Sequence, residues 1–221
     1  MLELVMHQYN EAIMDTDRDR ALLVVREAVL QGVSPEEIIF AVVVPAIELM
    51  MKSISENQGV SLAQHFMAAQ IASEVVDEMV PQFEKTPQII GKIVIGTSQG
   101  DFHGLGKRIV SGCLKAMMIE VTDLGLNVAP ERFIDEALAA DAQVIAISSM
   151  MVHTARGENG CQRVRQLLKE RGLEDRIKIA VGGAPYRFDH GLYATVGADA
   201  WAENGITAGR VITDLIQEVQ R

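Results

Sequence analysis

The chain has 221 residues, 48% of them apolar and 23% charged, the balance of a globular protein able to bury a core without disulfide staples. Its formal net charge of −10 removes any electrostatic reason to bind nucleic acid. No apolar run reaches the roughly 18 residues a membrane span needs, since the longest, Ile38 to Met51, is broken by Pro45 and carries Glu48.

At the N-terminus no basic stretch leads into an apolar core, so no signal peptide is visible and a cytoplasmic location is expected. Residues 1–84 read as helix throughout, with helices expected near 1–15, 18–31, 35–57 and 61–84. Glycine interrupts them only at Gly32 and Gly59, each followed within two residues by a capping signature, Ser34-Pro35-Glu36-Glu37 and Ser61-Leu62-Ala63-Gln64. Four such helices make a bundle. The fourth is apolar on two neighbouring stripes, Leu62, Phe66, Ala69, Ser73, Val76 and Val80 on one and Met67, Ile71, Val75 and Met79 on the other. That width suits packing inside the bundle, and it also suits a surface that covers something in the second half.

Gln82 to Gly91, with Pro87, reads as a linker. Beyond it the pattern becomes strand and helix in alternation. Strands are expected at Lys92–Gly96, Ile119–Leu124, Val144–Ser148, Ile177–Val181 and Ala198–Trp201, with a helix from about His103 to Met117 and a last one over Ile206–Val219. The domains expected are thus a helical one over 1–84 and a five-stranded parallel α/β one of flavodoxin-like (Rossmann-like) type over 91–221. In that architecture ligands bind beyond the carboxyl ends of the strands, at the topological switch point. Cys113 and Cys161 are too few for a disulfide framework or a four-cysteine metal site and read as buried thiols.

The loop after the first strand runs Gly96-Thr97-Ser98-Gln99-Gly100-Asp101-Phe102-His103-Gly104-Leu105-Gly106. Its glycines allow sharp turns or close approach to a ligand. Asp101 puts a negative charge where a phosphate would sit, and neither G-x-G-x-x-G nor the P-loop pattern is present, which argues against a nucleotide cradle. Asp101 and His103 offer instead a carboxylate able to take one N–H of an imidazole and steer it as a metal ligand. The plainer alternative is a helix start capped by Asp101. At the other strand ends, Ser148-Ser149-Met150 and Gly182-Gly183 supply small residues that would open a slot between strands.

Together these residues resemble the cobalamin-binding domain family, whose fingerprint is Asp-x-His-x-x-Gly, then Ser-x-Leu, then Gly-Gly at the ends of the first, third and fourth strands. The Gly197–Trp201 segment is similar to the family's fifth-strand region. Residues 1–84 resemble the helical cap of corrinoid proteins in methyltransferase systems, through Gly32–Ile38, Pro45-Ala46-Ile47 and Gly59–Leu62. The resemblance implies a base-off cobalamin whose cobalt is ligated by His103, with Asp101 on the other ring nitrogen and Ser148 continuing that chain. It implies a cofactor-binding set of Gly100, Asp101, Phe102, His103, Gly104, Gly106, Ser148, Met150, Val152, Gly182, Gly183 and Gly205, with Leu62, Phe66 and Met67 over the upper face of the corrin. The function implied is a methyl carrier between a substrate-specific corrinoid methyltransferase and a second methyltransferase serving tetrahydrofolate or a thiol, kept active by a reductive activator. Departures are Met150 for leucine, Gly104 where many relatives have aspartate, Val152 where threonine is common, and Lys52 and Ile54 in place of a glycine and an aromatic. The alternatives are the cobalamin subunit of a mutase, a cobalamin-based sensor, and a non-corrinoid metal site built from His103, Asp101 and His153 or His190.

Overall fold

Capping residues set where the helices begin. The computed structural model describes residues 1–55, 61–83 and 89–221. It divides into two compact units, Met1–Gln88 with Lys115–Met117, and Ile89–Leu114 with Met118–Arg221.

The first unit is helical. α1 spans Leu2–Met14 and α2 Arg18–Leu30, the latter capped by Asp17, whose carboxylate accepts from the Arg20 N–H at 3.0 Å. Ser34 and Glu37 form a capping box at α3 (Pro35–Glu37), and Ser61 and Gln64 another at α5 (Leu62–Met79). The single helix expected over 35–57 is interrupted. α3 passes through a π-helical turn, Ile38–Val43, into α4 (Val44–Ser55). Pro45 has no N–H to donate and its ring crowds the carbonyl one turn earlier, and immediately before it the Val44 N–H bonds to Ile39 O. Inside the bundle Tyr9, Ile13, Ile38, Ile39 and Met50 are buried together with Ile71, Val75 and Met79 of the second α5 stripe. Phe66 and Met67 are only partly buried. Gly59 and the middle of the expected linker lie outside the described residues.

The second unit is a sheet covered by helices. Its strands are β1 (Gly91–Ser98), β2 (Ile119–Val128), β3 (Val144–Ser148), β4 (Lys178–Gly182) and β5 (Ala200–Ala202). They are all parallel, in the order β2-β1-β3-β4-β5, so the switch point falls between β1 and β3. α6 (Leu105–Ala116) follows β1, α7 (Pro130–Ala139) follows β2, and α8 (Val152–Arg156) and α9 (Cys161–Glu170) follow β3. α10 (Ala184–Phe188) and α11 (Leu192–Thr195) follow β4, and α12 (Gly205–Gln220) closes the chain. Strands buried on both faces read as continuous apolar runs, which is why β1, β3 and β4 stand out in the sequence. Val94, Ile145, Ile147 and Val181 face a core closed by Phe133, Val164 and Leu168; Ile93, Ile95, Ala146 and Ala180 face one closed by Leu114, Ile212 and Ile216.

Two of the boundaries that differ from expectation bear on the site. β2 continues past Leu124 to Val128 through an irregular register against β1, with Gly125 (φ +87°) and Asn127 (φ 53°) both left-handed. α6 starts at Leu105, so His103 stands in the loop before it. Both cysteines are buried, and desolvation pushes each thiol up to about 12. Among the described residues no helix is long and apolar enough to cross a membrane.

Candidate functional site

Beyond Ser98 the chain turns through Gly100, whose φ of +82° an L side chain resists, and delivers Asp101 into the crevice at the switch point. Asp101 is 1% exposed despite its charge. Oδ1 accepts from the main-chain N–H of His103 at 2.9 Å and lies 2.9 Å from the Nδ1 of that residue. Oδ2 accepts from the Met150 N–H at 2.6 Å and from the Thr154 hydroxyl at 2.8 Å. Burial alone would raise the Asp101 carboxyl. The His103 N–H, the Met150 N–H, the His103 ring and the Thr154 hydroxyl outweigh it and bring the group down to about 2. The carboxylate is therefore an anion at any ordinary pH, and these donors are what allow a charge to sit there.

An ionised carboxylate only accepts, so the proton of the 2.9 Å contact sits on Nδ1 of a neutral His103 ring and the lone pair on Nε2. The His103 side chain is 55% exposed. Around it stands a rim of exposed apolar side chains, Phe102 at 67% and Met150, Met151, Val152, Leu105 and Leu126 less so. An imidazole steered by a carboxylate, with its other nitrogen open and its surroundings apolar, is a ligand arrangement suited to a metal held inside a large apolar group.

Next to this loop the strand ends are small. Thr97, Ser148, Gly182 and Ala202 stand in register across β1, β3, β4 and β5, and the row behind Ser148 is Ala146, Ala180 and Ala200. Ser148, Gly182 and Ala202 are all partly exposed. Gly183 cannot be anything larger: its φ is +117°, and a Cβ would come 2.0 Å from the Ser149 carbonyl oxygen. Gly205 is buried at the start of α12, where Asn204 Oδ1 caps the Thr207 N–H at 3.0 Å. Trp201 stacks on His190 at 4.9 Å between centroids, one residue before Ala202.

The structure thus gathers Asp101, Phe102, His103, Met150 and Val152 about one loop, with Gly182 and Gly183 beside it. At Gly104 a Cβ would meet Leu126 at 3.0 Å, whereas the space around Gly106 is open. The hydroxyl on Asp101 belongs to Thr154, which corrects the expectation that Ser148 continues the chain. Ser148 points its row toward the α12 side of the sheet, while its neighbour Ser149 pairs with Ser98 at 2.6 Å between hydroxyls. Thr154 lies 53 residues from Asp101 in a short helix with no motif of its own, so nothing in the sequence marks it. Phe66 and Met67 lie on α5 in the other unit, as does Leu62, whose side chain is outside the described residues. Among the described residues no three His, Cys, Asp or Glu side chains gather, so His153 and His190 are not brought to His103 and Asp101 as an all-protein metal site.

A flavodoxin-like domain with an acid-steered histidine at its switch point is the class this geometry defines. Residues 91–208 match the family model described as the B12 binding domain, and the chain belongs to that family. Relatives match along nearly the whole chain. Trimethylamine corrinoid protein 1 of Methanosarcina acetivorans is 31% identical over 99% of this chain and 96% of its own length. Dimethylamine corrinoid protein 1 of Methanosarcina mazei is 33% identical over 93% of each. Among solved structures, the methanol:cobalamin methyltransferase complex of Methanosarcina barkeri superposes with a TM-score of 0.77 over 96% of this chain and 80% of that one, at 21% identity. A cobalamin-binding protein from Desulfitobacterium hafniense DCB-2 gives 0.74 over 95% and 98%, at 22% identity. These two likenesses show the fold.

Proposed function

We propose that this chain is a corrinoid protein that carries a methyl group on cobalt, with His103 as the protein ligand to the metal. The observation that carries the reading is the 2.9 Å contact between Asp101 Oδ1 and His103 Nδ1 at the end of β1 in a B12-binding family member. Bound cobalamin supplies a cobalt atom able to accept and give up a methyl group. The chain's own residues do the rest. Asp101 keeps a lone pair on Nε2 while Nδ1 is protonated, and it faces an imidazolium when Nε2 also takes a proton, so one carboxylate supports both states of the ring. Gly104 and the apolar side chains of Phe102, Met150 and Val152 form the seat and keep water from it. The cofactor's nucleotide tail is assigned to the row of Ser148, Gly182 and Ala202, with Gly183 and Gly205 in the backbone next to it, and base-off binding is part of that assignment.

In this reading a substrate-specific methyltransferase loads the carrier, a second methyltransferase serving tetrahydrofolate or a thiol unloads it, and a reductive activator restores it, all in the cytoplasm. The relatives' names put methylated amines first among donors to test. The test is reconstitution with hydroxocobalamin. The wild-type chain takes up the corrinoid with a histidine-ligated spectrum, and His103→Ala loses that spectrum. A His103→Ala spectrum identical to wild type, or an apo-protein that takes up no corrinoid, overturns the reading. Demethylation of an amine by the holo-protein with no partner enzyme present overturns the carrier role.

A further inference from the structure

We infer that Asn127, at the irregular end of β2, is a positioning residue for the His103 imidazole: it fixes the two residues, Gly100 and Asp101, from which the histidine loop departs. The inference rests on the assignment of His103 as a cobalt ligand and extends it to a residue on a different strand.

Four bonds carry the argument. The Asn127 side-chain oxygen accepts from the Gly100 N–H at 2.7 Å. The Asn127 main-chain N–H is shared between the Asp101 carbonyl at 3.0 Å and the Thr97 hydroxyl oxygen at 2.8 Å. The Thr97 hydroxyl in turn donates to that same Asp101 carbonyl at 2.6 Å. Residues 100 and 101 are thus clamped through their main chain from the β2 side, while the Asp101 carboxylate is held by Met150 in the loop after β3 and by Thr154 in α8. Two independent sets of bonds fix one residue, and His103 follows two positions later on its carboxylate.

The residue type fits the task. At φ 53° asparagine is among the few side chains tolerated, and its short amide reaches the Gly100 N–H. Glycine at 127 would keep the backbone and lose that acceptor. The bulge itself is anchored from elsewhere: Asp123 accepts from the Gly125 N–H at 2.8 Å and pairs with Lys107, which is buried in the first turn of α6. Asn127→Gly therefore leaves the turn and the main-chain bonds at Asp101 standing and removes one bond, the side-chain acceptor of the Gly100 N–H where the histidine loop departs.

Asn127→Gly separates positioning from folding, and Asn127→Asp, which keeps an acceptor, is the rescue. The full chain is labelled with ¹⁵N-histidine, reconstituted with hydroxocobalamin and reduced to the Co(II) form, and the nitrogen splitting from the axial ligand is read by electron paramagnetic resonance. The expected result is a ¹⁵N doublet in wild type and in Asn127→Asp. In Asn127→Gly the histidine-ligated to histidine-free ratio falls roughly 10-fold, as removal of outer-shell support does at metal sites. A wild-type ratio in Asn127→Gly overturns the inference and leaves the His103 assignment intact. Absence of the ¹⁵N doublet from wild type overturns both. A cofactor-free readout runs in parallel, the ring ¹⁵N shifts of His103 in the apo-protein at a pH where the ring is neutral. Wild type shows the Nδ1–H tautomer and Asn127→Gly a mixture with Nε2–H; an unmixed Nδ1–H tautomer in Asn127→Gly overturns the inference as well.

Discussion

The two halves of the chain treat polar groups in opposite ways. In the helical unit the ion pairs sit at the surface: Arg26 grips Glu78 with both ends of its guanidinium at 2.7 and 2.8 Å, and both partners stay in contact with water. Among the described residues of that unit, His65 and the Tyr9 hydroxyl are polar groups on buried side chains. The α/β unit buries Thr97, Ser98, Asp101, Lys107, Ser149 and Thr154, and all but Lys107 meet at the ends of β1 and β3 or in the helix after β3. The comparison teaches where this fold keeps its polar capital. A bundle can be held by apolar stripes and helix caps alone, whereas an open sheet with a chemical task collects its buried hydrogen bonds at one edge.

That contrast can be broken by substitution. The largest effect is expected from Asp101→Ala, which strands the Met150 and His103 N–H groups in the interior at a cost of about 4 kcal/mol. Urea unfolding of the α/β unit measures it, and a loss below 1 kcal/mol contradicts the importance given to these bonds. Gly183→Ala should cost about 3 kcal/mol, because the left-handed backbone and the Ser149 carbonyl both oppose a methyl group there; a thermal melt unchanged from wild type would show that the turn yields easily.

The acid limb of stability comes next. The Asp101 carboxyl is near 2 in the folded chain and near its ordinary 3.8 when unfolded. Its contribution is complete above about pH 4 and is lost as pH falls from there through about 2, because the unfolded chain takes up the proton first. The amount is about 2 kcal/mol. Asp101→Asn should flatten the stability curve over that window, and a curve parallel to wild type would exclude Asp101 as its source. The smallest effect is assigned to Arg26→Ala, since exposed pairs gain little over their hydration. A loss equal to that of Asp101→Ala would erase the distinction between the halves.

How far the sequence reveals this arrangement depends on what each feature is made of. The β1, β3 and β4 runs are continuous and apolar, so they are legible, as are the capping boxes at Ser34 and Ser61. The far half of β2 is not, because Gly125-Leu126-Asn127 has no strand pattern and takes its place from pairing with β1 and from bonds to Asp123 and to the loop after β1. The π-helical turn before Pro45 is hidden for a related reason: Ile38–Val43 is as apolar as any α-helix, and the wider ring is a matter of backbone geometry. At the candidate site Asp101 and His103 are near neighbours in the chain and can be read together. Thr154, Thr97 and Asn127 reach Asp101 only once three strands are side by side, and single hydroxyls or amides carry no spacing that would announce it.

The chain has a single tryptophan, Trp201, and it lies stacked on His190 one step from the small-residue row at the ends of β3, β4 and β5. All indole fluorescence of the protein therefore originates within that strand, beside the seat assigned to a coloured ligand. Emission from unmodified protein is a built-in gauge of loading: a strongly absorbing guest beside β5 drains the excited indole by energy transfer, with no label attached.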